Sequence, residues 1–314
     1  MFWNYNNYFS TPIPREFQLS PEIEPVTSLY QLALVASTKE GLEEAWLKNE
    51  GENITGTHKD RSFRYWISYH CMQGTKEVVL SSSGSSAFAA AYYCQKSGIK
   101  LHAFIREDFA KDKIDLLHQY ATTIPHLSLT PKKDAFRLAK ETGMPYLRSS
   151  IDPLAIEGYK TLGFEIAESL KDVEEIFIPT SSGATAAGIY QAFRILGQER
   201  KTPMPRLYCV QTTMVHPIAE EFERNFTTET SHPARAIIDR IAHRKKEVIN
   251  ILKATKGGAY VISKEETEKA KKLIAHLNER EPGNESAITA AALLKHRTRH
   301  PEWAKARAVC IFTN

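Results

Sequence analysis

One pattern occurs twice in this chain and narrows its fold more than anything else in it. EVVLSSSGSSAFAAAYYCQKSGIKLHAFI, from Glu77, and EEIFIPTSSGATAAGIYQAF, from Glu174 and continued by RLYCVQTT from Arg206, each read as strand, Ser/Gly loop, small-residue helix, strand. Short buried strands alternating with helices are βαβ units, and strands joined that way form parallel sheets covered by helices on both faces. The fold class is therefore α/β with mostly parallel sheets. Between the two copies, AKDKIDLLHQYATTIPHLSLTPKKDAFRLAKETG predicts a helix, a strand and a second helix ending at Gly143. Further on, Ser263 and Glu266 are spaced as a capping box, and ARAVCIFTN supplies the last strand. No low-complexity segment or long linker separates these parts, so two domains would be interwoven rather than strung in series.

Composition removes several classes of protein. With 314 residues, 42% of them hydrophobic and 25% charged, the chain is long enough to bury a cleft. Its net charge of +4 does not by itself ask for nucleic acid. Cys71, Cys94, Cys209 and Cys310 lie far apart with no CxxC pair, which argues against a zinc site or disulfide scaffold and for a reducing, cytoplasmic setting. The start, MFWNYNNYFSTPIPREF, lacks the charge and apolar pattern of an export signal, and no run approaches a membrane span.

The chemistry gathers at loops. SSSGSS, Ser81 to Ser86, and TSSGAT, Thr180 to Thr185, each bring small hydroxylic residues to a helix start, where backbone N–H groups and the helix dipole favour an anion. The second is a good phosphate cradle through Ser181, Ser182, Gly183, Ala184 and Thr185. Taken singly, either loop is equally well explained as plain capping by Ser or Thr. Upstream, NITGTHKDRSFRYW (Asn53 to Trp66) sets turn formers before Lys59 and a helix beginning near Asp60. On local grounds Lys59, Asp60 and Arg61 are a solvated face. Yet a lysine, a Ser/Gly loop and a phosphate-type loop can all meet at the carboxyl edge of one sheet, where open α/β folds bind ligands. Lysine plus phosphate site suits a cofactor with an aldehyde and a phosphate, and pyridoxal phosphate is such a cofactor.

In order and wording these motifs resemble the tryptophan-synthase-β-like group of pyridoxal-phosphate enzymes, fold type II, and within it the threonine synthase and threonine/serine dehydratase branch. NITGTHKDR corresponds to the signature lysine segment, SSSGSS to the Ser-Thr/Ser-Gly-Asn loop, PTSSGATAAGI to the phosphate loop, and EGYKTLGFEIAESL and REPGNESAITAAALL to two further shared segments. The resemblance runs from about Pro25 to the C-terminus. It implies two interwoven three-layer α/β/α domains: a larger one of residues 1–45 and 155–314 for the cofactor phosphate, and a smaller mobile one of 46–154 with the lysine and the substrate loop. It also implies a homodimer.

Residue by residue, the resemblance makes Lys59 the Schiff-base lysine and the base at the substrate Cα. A helix N-terminus and nearby Arg61 favour the neutral amine such a lysine needs. It puts the phosphate on Ser182, Gly183, Ala184 and Thr185, the ring nitrogen against Thr313, and the substrate carboxylate on Ser82, Ser83, Gly84, Ser85 and Ser86. A hydroxyl at the ring nitrogen, in place of a carboxylate, suits elimination better than transamination. The expected activity is elimination or replacement at Cβ or Cγ of an L-amino acid.

The departures matter too. Ser85, implied as cofactor-binding, stands where relatives have Asn beside the cofactor's phenolic oxygen, His58 where they have an aromatic or aliphatic residue, and Ala155 where threonine synthases have an arginine for the phosphate of O-phosphohomoserine, with Arg148 or Lys113 as substitutes. His58 reads as a packing or backbone-bonded side chain, with an auxiliary acid or base as the alternative. Ser85, the single glycine of the phosphate loop and the stop at Asn314 keep open a cofactor-binding protein without turnover. A basic nucleic-acid-binding protein is the third reading, resting on HRKK at His243 and LLKHRTRHPEW, but stacking aromatics are not interleaved there. His296 and His300, four apart, have metal-ligand spacing; with no third ligand in sequence and Arg297 and Arg299 beside them, they read as a solvated basic helix end and no metal is expected.

Overall fold

The computed structural model describes residues 2–20, 27–31, 44–82, 84–108, 111–237, 239–278 and 281–313. Its elements begin with β1 (Leu29–Gln31), β2 (Ala45–Asn49), α1 (Lys59–Met72), β3 (Glu77–Ser81), α2 (Ser85–Ser97) and β4 (Lys100–Arg106). Next come α3 (Lys111–His118), β5 (Thr123–Ser128), α4 (Pro131–Thr142), α5 (Leu154–Glu157), α6 (Lys160–Ser169), β6 (Glu175–Pro179) and α7 (Ala184–Arg200). The last are β7 (Arg206–Thr212), α8 (Lys245–Ala254), β8 (Gly258–Ile262), α9 (Lys264–Asn278), α10 (Asn284–Arg299) and β9 (Ala308–Phe312). They fall into two compact units, each made of two chain segments: residues 1–25 with 53–158, and 26–52 with 159–314.

In the first unit, β3, β4 and β5 form a parallel sheet. Val78, Leu80, Leu101, Ala103 and Ile105 turn to one face and pack with Phe63, Trp66 and Ile67 of α1 and the alanines of α2. Val79 and Phe104 turn to the other and pack with Ala135 and Ala139 of α4. This alternation, with both faces apolar, is what a parallel sheet between helices requires. Gly98 and Gly143 end α2 and α4 with φ of 71° and 73°, a left-handed cap that costs glycine little.

The second unit holds a six-stranded sheet in the order β1-β2-β9-β6-β7-β8, parallel except for the β1–β2 pair. Phe177, Tyr208, Val210, Tyr260 and Cys310 face a core completed by α9 and α10. The opposite row, including Ile176, Ile178, Cys209, Val261 and Ile311, is equally buried. After β6 the chain adds β7 and β8 to one side and returns with β9 on the other. The carboxyl ends of β6 and β9 are thus a topological switch point, the position where open α/β sheets bind ligands.

The capping box is present: Glu266 N–H donates to Ser263 Oγ at 3.2 Å and Ser263 N–H to Glu266 Oε2 at 2.8 Å. The solvated basic helix end is not. His296 is fully buried, donating from Nε2 to Glu175 Oε1 at 2.9 Å and accepting at Nδ1 from the Tyr260 hydroxyl at 2.5 Å, while Arg297 Nη1 donates to Glu175 Oε2 at 2.6 Å. The reason lies in Glu175, which opens β6 in the sheet interior. Burial pushes its carboxyl up, but the His296 hydrogen bond and the Arg297 charge outweigh it and hold the group below the usual range. Burial likewise lowers His296, which sits there as a neutral ring.

All four cysteines are free thiols, and burial pushes Cys209 and Cys310 up to about 12. Among the described residues no helix is long and apolar enough to cross a membrane, and no three His, Cys, Asp or Glu side chains gather as metal ligands.

Candidate active site

Helix α1 begins at Lys59 because the turn before it is locked by its own side chains. Gly56 takes φ of 76°; Asp60 reaches back to accept the Thr55 N–H at 2.7 Å and the Thr55 hydroxyl in a short bond; Thr57 Oγ1 accepts the Lys59 N–H at 3.3 Å. Asp60 and Arg61 are 2% and 4% exposed, so the expected solvated Lys-Asp-Arg face is a buried helix start with Lys59 half-buried at its tip. His58 is buried as well, and its Nε2 lies 2.9 Å from Lys59 Nζ. Its ring is thus buried, as a packing side chain would be, and also engages the lysine amine.

Two further segments hold this helix start in place. Ser62 Oγ donates to Ala155 O at 2.8 Å, and Gly158 comes so close that a Cβ there would lie 1.8 Å from Arg61 O. Only glycine permits that approach. The adjacent Glu157 accepts from Ser10 N–H at 2.8 Å and Ser10 Oγ at 2.9 Å. Ser10 belongs to an N-terminal strap in which Phe2, Phe9 and Ile13 pack on Tyr65, Arg64 Nε donates to Leu19 O at 2.8 Å, and Leu19 N–H donates to Ser68 Oγ at 3.0 Å. Spacing in the sequence carried no signal for this arrangement, since the partners stand 45 to 147 positions apart.

In the same unit, Ser82, Gly84, Ser85 and Ser86 follow β3 at the start of α2, partly exposed; Ser83 lies outside the described residues. The N-cap of α2 is Gly84, with no side-chain cap, and Ser82 Oγ accepts the Gly84 N–H at 3.3 Å. Among the described residues, then, no serine takes the N-cap position of α2.

The second unit gathers the other predicted residues, so the phosphate-type loop belongs to a different sheet from the first Ser/Gly loop and the expectation of one shared sheet edge for all three motifs is not met. The loop Thr180–Gly183 leaves β6 and enters α7, while Thr313 follows β9, the parallel neighbour of β6, and is buried. Loop and threonine therefore share one sheet edge. Thr180 is fixed from below: its N–H donates to Val210 O at 2.9 Å and its carbonyl accepts from Gln211 Nε2 at 3.1 Å. Ser181 Oγ accepts the Asp239 N–H at 3.3 Å, and Gly183 turns with φ of 90° so close to α8 that a Cβ would lie 2.3 Å from Val248 Cγ2. Among the described residues no side chain caps α7. The first amides of a helix have no carbonyl one turn back to bond. Those of Ala184 and Thr185, with the half-exposed Ser182 hydroxyl beside them, are thus disposed to hold a phosphate at the positive end of the helix dipole. The residues present fit a phosphorylated cofactor.

Comparison with known proteins points the same way. Residues 23–314 match the model of a family described as pyridoxal-phosphate dependent enzyme. The chain is 25% identical over 288 residues to threonine synthase of Methanocaldococcus jannaschii, covering 87% of this chain and 69% of that protein. It is 27% identical over 296 residues to threonine synthase of Methanosarcina acetivorans, covering 88% and 72%. To the catabolic L-threonine dehydratase TdcB of Escherichia coli K12 it is 28% identical over 184 residues, 57% of this chain and 54% of that one. Among solved structures, the processed form of threonine deaminase isoform 2 from Solanum lycopersicum superimposes with a TM-score of 0.74 at 17% identity, covering 93% of this chain and 79% of its own. At that identity the likeness bears on the fold.

Proposed function

This chain belongs to the pyridoxal-phosphate dependent enzymes, and on that premise we propose that it catalyses elimination or replacement at Cβ or Cγ of an L-amino acid, as a threonine synthase-like or dehydratase-like enzyme. Its cofactor is pyridoxal 5'-phosphate. The observation that carries the reading is the uncapped start of α7 at Gly183, set at the switch point of the sheet with Thr313 beside it.

In this reading, the amides of Ser182, Gly183, Ala184 and Thr185 and the hydroxyls of Ser182 and Thr185 would hold the phosphate, and Thr313 would offer its hydroxyl to the ring nitrogen. Lys59 would hold the cofactor and would serve as the base for the proton at the substrate Cα. When bound, the cofactor supplies an electron sink that lets that C–H bond break. Ser82, Gly84, Ser85 and Ser86, with Ser83, orient the substrate carboxylate. Ser85, a shorter donor than an asparagine, would serve the cofactor's phenolic oxygen through a bridging water. Ala155 is buried, presents no charge and offers its carbonyl to Ser62, so nothing at that position favours a phosphate leaving group over a hydroxyl.

The test is a spectrum followed by a product assay. Purified protein loaded with pyridoxal phosphate is expected to show a visible band that Lys59→Ala abolishes, and to release keto acid and ammonia from L-threonine or L-serine. A band that is absent, or that survives the substitution, overturns the assignment of Lys59. A normal band without product from any amino acid tried leaves a binding protein rather than an enzyme.

A further inference from the structure

The histidine that precedes the lysine points beyond that scheme. Residues i and i+1 of a helix diverge by about 100° and do not face each other, so contact between adjacent side chains has to be built. Here it is built at the helix entrance. His58 is the N-cap residue, with φ of −59° and ψ of −14°, yet its side chain makes no capping bond. The ring turns instead toward its neighbour, putting Nε2 2.9 Å from Lys59 Nζ. The capping work is done by Thr57, and Asp60 is engaged by Thr55. His58 is 8% exposed, so this contact is not a passing one at the surface.

From this geometry we propose that His58 is the proton relay of Lys59, an inference that rests on Lys59 being the base at the substrate Cα. A lysine that has taken a proton has three equivalent N–H bonds and must lose one before it can act again. The Nζ–H bond facing the ring breaks and leaves its electron pair on Nζ, while the Nε2 lone pair of His58 forms the new N–H bond. The ring becomes an imidazolium and, because Nδ1 is enclosed, gives that proton up to water from Nε2 once Lys59 swings away. Imidazole is the side chain best suited to accept and release a proton near neutral pH. For the ring to take that proton, its resting tautomer must carry the hydrogen on Nδ1 and leave Nε2 as the acceptor.

The experiment uses loaded full-length protein and L-alanine deuterated at Cα, an amino acid with no leaving group at Cβ. Exchange of that deuterium into water is followed by NMR, and the visible spectral change on adding alanine reports binding. In His58→Phe, the spectral change at a given alanine concentration is expected to stay within about twofold of wild type, while deuterium washout at steady state falls about tenfold or more, because the lysine's three hydrogens, no longer replaced from water, fill with deuterium over repeated turnovers and return it to Cα. His58→Gln separates relay from positioning: glutamine offers an acceptor oxygen at similar reach but cannot carry a proton, so washout is expected to stay low. A second readout needs no substrate. Nitrogen-15 spectra of the His58 ring are expected to show Nε2 as the unprotonated nitrogen, a signature that changes in Lys59→Met. Restored washout in His58→Gln, or unchanged washout in His58→Phe, overturns the relay and leaves Lys59 as assigned. Loss of the Lys59-dependent band from wild type overturns both.

Discussion

At the scale of single residues, burial decides which side chains are available for chemistry. His70 lies in the last turn of α1, where the helix dipole would favour a cation, but it is 8% exposed and burial holds its ring down to about 4. Desolvation outweighs the dipole there. The unfolded chain takes up a proton at His70 below about 6.5, whereas the folded chain does so only near 4. Stability from this site is therefore complete above pH 6.5 and lost as the pH falls toward 4. Between pH 7 and pH 5 the loss comes to about 2 kcal/mol. Urea denaturation at the two pH values measures it, and His70→Phe is expected to flatten that part of the profile. Single residues were also where reading by pattern did worst. Lys59 and its neighbours have the composition of a solvated face, and only the folded turn around Thr55, Thr57 and Asp60 withdraws them from water.

Elements were more legible, because the signals that start and stop them are local. The capping box at Ser263, the glycine that ends α4, and the strand, loop and helix order of both repeated segments depend on residues within a few positions of one another. What escaped notice was how α7 starts. TSSGAT has the serines and threonines of an ordinary cap, but the helix is entered through Gly183, in a conformation that other residues rarely adopt, with Val248 closing over it. Gly183→Ala combines a positive φ with a clash and is expected to cost about 1–3 kcal/mol. It should also shift the α7 amides that the proposed phosphate site uses. The expected outcome is a lower melting temperature together with a higher half-saturating concentration of pyridoxal phosphate; normal cofactor binding in a destabilised protein would argue against that site. Val248→Ala in the same chain removes the clash but not the strained φ, so it should recover only part of the stability.

At the scale of the whole molecule, what could not be foreseen is where distant segments come together. The family match begins at residue 23, yet the strap before it packs Phe2, Phe9 and Ile13 on Tyr65 and links Ser10 to Glu157, next to the glycine that meets the first turn of α1. Removing residues 1–20 is therefore expected to loosen that helix. Backbone amides from Phe63 to Tyr69 should exchange with solvent about tenfold faster or more, and the apparent affinity for pyridoxal phosphate should fall. Unchanged exchange in a folded, truncated chain would mean that the strap is dispensable.

By itself the sequence determined the α/β class, the parallel pairing and the helix ends, and it singled out Lys59 and two loops, because apolar period, turn chemistry and motif order act over short stretches of chain. Tertiary structure alone decided that His58 faces Lys59, that Glu175 gathers His296 and Arg297 out of water, and that Gly158 and Ser10 brace the lysine helix. The physical reason is the same in the last two cases: their partners are separated by about a hundred residues or more, and burial, which supplies most of the interaction energy, is a property of the packed chain. For His58 the partner is the next residue, and what the string of letters lacked was direction, since neighbouring helical side chains ordinarily point apart.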